Sequence, residues 1–87
     1  MSYFVYILYS KSFDRFYIGQ TSSLPERLYQ HNAGKVRSTK AFIPWVIGHY
    51  ERFDDRTQAI KRKSFLKSPA GWNELKALKQ SIKNSIR

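Results

Sequence analysis

Residues 3–20 read Tyr3-Phe4-Val5-Tyr6-Ile7-Leu8-Tyr9-Ser10-Lys11-Ser12-Phe13-Asp14-Arg15-Phe16-Tyr17-Ile18-Gly19-Gln20. Aromatic and β-branched residues fill 3–9, which suits a strand buried on both faces. Lys11–Arg15 is a polar turn, and Phe16–Gln20 returns antiparallel, so the stretch forms a hairpin. That hairpin rules out an all-helical chain.

Beyond it, Ser23-Leu24-Pro25-Glu26 has the pattern of a capping box. Ser23 can cap, Pro25 is tolerated in a first turn and Glu26 can reach back. The helix runs through Leu28 to about Asn32, with Leu24 and Leu28 as its buried stripe and Gly34 as a left-handed stop. Residues 34–44 form a loop carrying Lys35, Arg37, Ser38, Thr39 and Lys40, and loops of this length in a compact domain are often functional. Trp45–Phe53 reads as a third strand with Val46, Ile47, Tyr50 and Phe53 as core candidates. Asp55 with Gln58 opens a second helix that stops at Ser68-Pro69. A last helix from about Ala70 carries Leu75, Leu78, Ile82 and Ile86 at helical spacing, with a frayed far end. The expected fold is therefore an α/β sandwich, β-β-α-β-α-α, with a three-stranded antiparallel sheet flanked by helices. No repeat or interior boundary divides it, so 1–87 is expected to be one domain.

The 87 residues include no cysteine, which excludes disulfides and thiolate metal sites. Stability must come from the core, for which six Tyr, six Phe and two Trp supply bulk. The apolar start lacks the flanks of a signal peptide, and no stretch is long enough to span a bilayer. A cytoplasmic protein without a membrane partner is expected. Sixteen Lys+Arg against six Asp+Glu give a formal charge of +10. From Arg56 to Arg87 there are nine basic residues and one acid, Glu74, a net +8. Such a surface suits nucleic acid, although a solvated face or acidic lipid headgroups would also accommodate it.

Four residues could carry chemistry. Tyr6 and Tyr17 lie on the hairpin strands, while Arg27 and His31 are four apart and share one helix face. A phenol, a guanidinium and an imidazole beside a basic surface suit a phosphodiester. Taken singly, the tyrosines read more readily as strand aromatics with hydroxyls at the rim, and Arg27 and His31 as a solvated helix face.

Together these residues resemble the GIY-YIG nuclease family, in particular its small single-domain bacterial members and the N-terminal nuclease domain of the excision-repair incision subunit. Val5-Tyr6-Ile7 stands for the first motif, with Phe4-Val5 in place of Gly-Ile. The second is intact as Tyr17-Ile18-Gly19, followed by Gln20-Thr21, Arg27 and His31-Asn32. The resemblance spans most of residues 3–67 and implies the same α/β fold. It implies DNA endonuclease activity in repair or recombination on structured or single-stranded DNA. It makes Tyr6 the general base, Arg27 the phosphate clamp, His31 a proton relay or a partner of a phosphate oxygen, and Tyr17 a partner of water or phosphate. Gly19 allows close backbone approach. Arg27 is expected to depress the Tyr6 pKa.

The family also implies Mg²⁺ or Mn²⁺ held by a glutamate in the second helix. Here the corresponding run is Ala59-Ile60-Lys61-Arg62-Lys63-Ser64-Phe65-Leu66-Lys67, with Lys63 where that glutamate is expected. An ammonium cannot ligate a metal. Three readings remain open: binding without cleavage, cleavage with the Lys63 charge replacing the ion's, or a substitute carboxylate, for which Glu74 and Glu51 are the candidates. His49 projects from strand three and reads as structural. Lys35, Arg37, Lys40, Lys63 and Lys67 are expected on DNA phosphates. Trp45 and Trp72 are either packing residues or platforms for unpaired bases. A partner protein for target selection is compatible with so short a unit, and oligomeric state is not legible.

Overall fold

The computed structural model describes residues 1–86, so Arg87, counted above in the basic segment, lies outside the described residues. Strands β1 (Tyr3–Ser10), β2 (Arg15–Thr21) and β3 (Val46–Phe53) form an antiparallel sheet in the order β2-β1-β3. Helix α1 (Leu24–Asn32) follows β2, while α2 (Arg56–Leu66) and α3 (Trp72–Ser85) follow β3. Short 3-10 turns at Lys40–Phe42 and Pro69–Gly71 precede β3 and α3. The last helix therefore begins two residues later than its apolar spacing suggests.

β1 is central, which explains its near-continuous apolar run: Val5 to Ser10 are all buried. Its side chains alternate between two cores. Val5, Ile7 and Tyr9 join Ile18, Ala59, Leu66 and Ile82 beneath α2 and α3. Tyr6 and Leu8 join Trp45, with Tyr17, Leu24, Leu28, Phe42, Ile43 and Ile47 packed around them, on the α1 face. Each fully buried aliphatic side chain contributes about 1.5–3 kcal/mol of transfer free energy. The α3 stripe at Leu75, Leu78 and Ile82 packs on the first core as its spacing implies.

Two expected features differ. Val46 and Tyr50 are 42% and 58% exposed and are not core residues. β3 is an edge strand, and the register is irregular between Ile7 and Leu8, whose partners are His49 and Ile47. Gly48 is the extra residue, so the alternation shifts there. At the start of α1, Ser23 holds the N-cap position in extended conformation but makes no side-chain cap bond. Its own N–H is taken by Thr21 Oγ1 at 3.1 Å, leaving Glu26 without the reciprocal partner of a capping box. The other helix signals match: Asp55 Oδ1 accepts from the Gln58 N–H at 2.8 Å, and Gly34 has φ +76°.

Candidate active site

Tyr6 projects from the central strand toward α1, opposite Gly19 on β2. A methyl group at Gly19 would overlap the Tyr6 hydroxyl and ring, so only glycine lets the phenol lie flat across its neighbour strand. The Tyr6 side chain is 2% exposed, and its hydroxyl is enclosed by two residues of α1. Arg27 Nε donates to it at 3.4 Å, and His31 Nε2 lies 3.1 Å away. Tyr17, half-buried on β2, places its ring 4.9 Å from the imidazole and 6.3 Å from the Tyr6 ring. The structure thus gathers all four sequence-identified residues around one point.

A fifth residue completes the group. His31 is fully buried, and its Nδ1 lies 2.8 Å from Thr39 Oγ1. Thr39 is itself buried and donates its single hydroxyl proton to the Val36 carbonyl at 3.3 Å. Its oxygen must therefore accept from His31 Nδ1–H, which leaves Nε2 unprotonated and accepting from Tyr6. The other end agrees: the Tyr6 oxygen already accepts from Arg27, and among the described residues only His31 is placed to take the Tyr6 proton. Hydrogen bonds consequently run one way, from Arg27 through Tyr6, His31 and Thr39 to Val36.

Thr39 sits in the loop after α1, and two interactions fix that loop. Asn32 brackets Trp45, accepting its N–H at 2.7 Å and donating to its carbonyl at 2.9 Å. The Trp45 indole N–H donates to the Thr39 carbonyl at 2.9 Å. Trp45 is thereby a buried structural residue. Lys35, Arg37 and Lys40 stay exposed on the same loop.

Burial and charge set the protonation states. Desolvation, then the nearby Arg27 cation, lowers the His31 pKa from 6.5 to about 4, so the ring is neutral at pH 7. For Tyr6, burial is the largest influence and raises the phenol above its ordinary 10.0 against the opposing Arg27 hydrogen bond. The sequence-based expectation of a depressed Tyr6 pKa is therefore corrected: enclosure outweighs the cation. The Arg27 guanidinium is raised, chiefly by its bond to Tyr6.

Arg27 also lines a polar groove of about 330 Å³ with Gln20, Thr21, Ser22, Ser23, Glu26, Gln30 and Arg56. The groove spans from α1 across the end of β2 to the start of α2. Gln30 Oε1 holds Arg27 Nη1 at 2.8 Å, and Gln20 Oε1 is buried without a partner. Lys63 is seven residues beyond Arg56, hence on the same α2 face about 10 Å farther along. It is half-buried, and its carbonyl accepts from the Lys67 N–H at 3.1 Å. Lys67 continues that face.

The remaining acidic candidates lie elsewhere. In register, Glu51 is opposite Val5 and His49 opposite Ile7, which puts both on the α2–α3 face, away from Tyr6. Arg62 donates to both Glu51 oxygens at 2.8 and 3.0 Å and also binds Glu74, while His49 Nε2 is 2.8 Å from Glu51. Arg62 holds both carboxyls below the usual range.

With this geometry, residues 2–71 match the GIY-YIG catalytic domain. The chain belongs to the GIY-YIG family. It is 30% identical over 79 residues to a UPF0213 protein of Staphylococcus haemolyticus, covering 90% of this chain and 95% of that protein. A UPF0213 protein of Haloquadratum walsbyi is 34% identical over 67 residues, covering 76% of this chain and 74% of that one. The solution NMR structure of a UPF0213 protein from Bacillus halodurans shares the fold, with TM-score 0.53, 24% identity and coverage of 99% and 97%. Membership supports an endonuclease-type role and association with nucleic acid. Among the described residues no helix is long and apolar enough to cross a membrane.

GIY-YIG domains generally depend on a metal ion, and the donor set here does not fit one. Lys63 offers no lone pair at the expected position. Glu51 and Glu74 are committed to Arg62 away from Tyr6, and the described residues contain no cluster of three His, Asp or Glu. In the groove, one carboxylate (Glu26) faces two guanidiniums (Arg27 and Arg56), a balance that favours an anion.

Proposed function

We propose that this domain hydrolyses phosphodiester bonds in structured or single-stranded DNA, in repair or recombination. The observation that carries this reading is the buried chain Arg27–Tyr6–His31–Thr39 opening onto a cationic groove. A scissile phosphate enters the groove and binds Arg27, whose bond to Tyr6 is long enough at 3.4 Å to be exchanged for a phosphate oxygen. The freed phenol accepts a proton from the attacking water as its own proton passes to His31 Nε2. The water oxygen bonds to phosphorus, the P–O bond to the leaving strand breaks, and that oxygen takes a proton from solvent. The imidazolium that forms keeps its Nδ1–H on Thr39. A neutral histidine with a low pKa is a weak base, but phosphate charge beside it favours the protonated form. Tyr17 orients the water or a phosphate oxygen from the opposite side. Lys35, Arg37 and Lys40 bind flanking phosphates without reading sequence.

Lys63 supports a second reading. With an ammonium at the family's metal position, the same site binds DNA without cutting it, and Lys63 and Lys67 contact the backbone. In the catalytic reading, the Lys63 charge replaces the ion's, and cleavage survives chelation.

The test is cleavage of labelled single-stranded, duplex and flapped DNA with Mg²⁺, Mn²⁺ or EDTA, comparing the natural chain with Lys63→Glu and Tyr6→Phe. Cleavage by the natural chain in EDTA that is lost in Tyr6→Phe supports the hydrolase. Metal-dependent cleavage by Lys63→Glu alone supports the binding module. Metal-dependent cleavage by the natural chain would instead point to a carboxylate such as Glu26. A cytoplasmic location accords with this role.

A further inference from the structure

Trp72 is 59% exposed at the start of α3, on the sheet face opposite Tyr6. It is held there by a tight corner: Gly71 packs so closely on the Phe65 carbonyl that a side chain would collide with backbone. Two shallow grooves meet at Trp72 and Leu75. One, of about 270 Å³, is lined by Phe16, Lys76, Lys79, Gln80 and Lys83 besides these two. The other, of about 510 Å³, adds Leu66, Lys67, Ser68 and Pro69. Trp72, Lys76, Lys79 and Lys83 follow spacings of four, three and four, so they form one stripe along α3.

The charges leave this stripe strongly basic. Lys83 is paired with Asp14 at 3.2 Å, and Glu74 is directed to Arg62. Lys76 and Lys79 have aromatic faces rather than carboxylates as neighbours, with Nζ 5.2 Å from the Trp72 and Phe16 ring centroids. Flat apolar surface flanked by mobile ammonium groups matches one polyanion in particular. An unpaired nucleic-acid strand offers bases to the ring and phosphates to the lysines. A duplex keeps its bases stacked inside, and a lipid surface would call for a broad apolar face.

The surface also connects to the Arg27 groove. Arg56 lines that groove, Lys67 lines the one beside Trp72, and Lys63 lies between them on the same α2 flank. From Arg56 to Lys67 is about 16 Å along the helix, a reach of a few nucleotides.

We propose that Trp72 is a stacking platform for an unpaired base of the DNA substrate, with Lys76 and Lys79 on adjacent phosphates. The strand runs from the Arg27 groove along Arg56, Lys63 and Lys67 to this platform. The path rests on the DNA-acting reading above, whereas base stacking at Trp72 does not require cleavage.

The experiment is equilibrium binding of an oligothymidylate and of an abasic strand of equal length, read by anisotropy and by tryptophan emission. Trp72→Phe, whose remaining tryptophan is the buried Trp45, identifies the quenched residue. The natural chain should bind oligothymidylate more tightly than the abasic strand and lose emission on binding. Trp72→Ala should weaken oligothymidylate roughly tenfold or more and abolish the preference over the abasic strand. Trp72→Phe should keep most of the affinity. A double Lys76→Ala, Lys79→Ala variant should flatten the dependence on salt. Equal binding of both strands, or unchanged affinity in Trp72→Ala, overturns the platform. Emission changes on anionic vesicles but not on oligothymidylate would assign the face to lipid, and tighter binding of the matching RNA would overturn the choice of DNA. Cleavage by the natural chain is scored alongside: base-dependent binding by a natural chain that never cuts would leave the platform standing while the hydrolase reading falls.

Discussion

The imidazole of His31 and the hydroxyl of Thr39 lie 2.8 Å apart inside the protein, and Thr39 is already committed to the Val36 carbonyl on its other side. A loop residue thereby determines which nitrogen of a helix residue faces Tyr6. Thr39→Val should leave His31 Nδ1–H without an acceptor and destabilise the fold by about 1–3 kcal/mol. It should also release the preference for the Nδ1–H form, seen as a shift in the two ¹⁵N resonances of His31. Thr39→Ser should restore the natural pattern. Unchanged nitrogen shifts in Thr39→Val would show that Thr39 does not set the tautomer.

Acid should unfold this protein through His31. The folded ring resists protonation down to about pH 4, while an unfolded histidine takes its proton near 6.5. Between those values the unfolded chain binds more protons, so stability is full above about pH 6.5 and falls as pH drops toward 4. The loss amounts to roughly 3 kcal/mol, an upper figure for a single group. Urea midpoints should show it, and His31→Gln should be less stable at neutral pH yet flatter across this interval. A natural slope retained in His31→Gln would assign it to another group.

Gly19→Ala should destabilise by about 1–3 kcal/mol, because the added methyl meets a buried ring with no free volume. The penalty should shrink in a Tyr6→Ala background. A double-mutant cycle by chemical denaturation measures that coupling. Strict additivity would mean that the strand backbone, not the phenol, resists the methyl.

Glu51→Ala should cost stability, about 1 kcal/mol given its partial exposure and two bonds to Arg62, without altering any affinity for Mg²⁺ or Mn²⁺. Glu74→Ala should act in the same direction through Arg62. Calorimetric metal titration beside urea unfolding separates the two outcomes. A drop in metal affinity in either variant would place a working carboxylate where the sheet geometry does not.

The architecture was legible because its signals are local. The hairpin shows in two apolar runs around Lys11–Arg15, and the final helix shows in the spacing of Leu75, Leu78 and Ile82. Spacing and family pattern single out Tyr6, Tyr17, Arg27 and His31, which the structure brings together. Thr39 is not among them: it lies eight positions beyond His31 in the following loop, and no periodicity relates them. Tyr50 and Val46 misled because strand propensity does not distinguish an edge from a centre, nor register a bulge at Gly48. The Tyr6 pKa ran opposite to expectation because a sequence displays charge but not enclosure.

β1 places Tyr6 and Leu8 in one compartment and Val5, Ile7 and Tyr9 in the other. It works as a dividing wall with an independent set of tenants on each side. Substitutions among the residues beneath α2 and α3 can therefore alter that compartment without disturbing the hydrogen-bonded tyrosine across the partition. A sheet divided in this way lets one face change while the hydrogen-bonded group on the other stays in place.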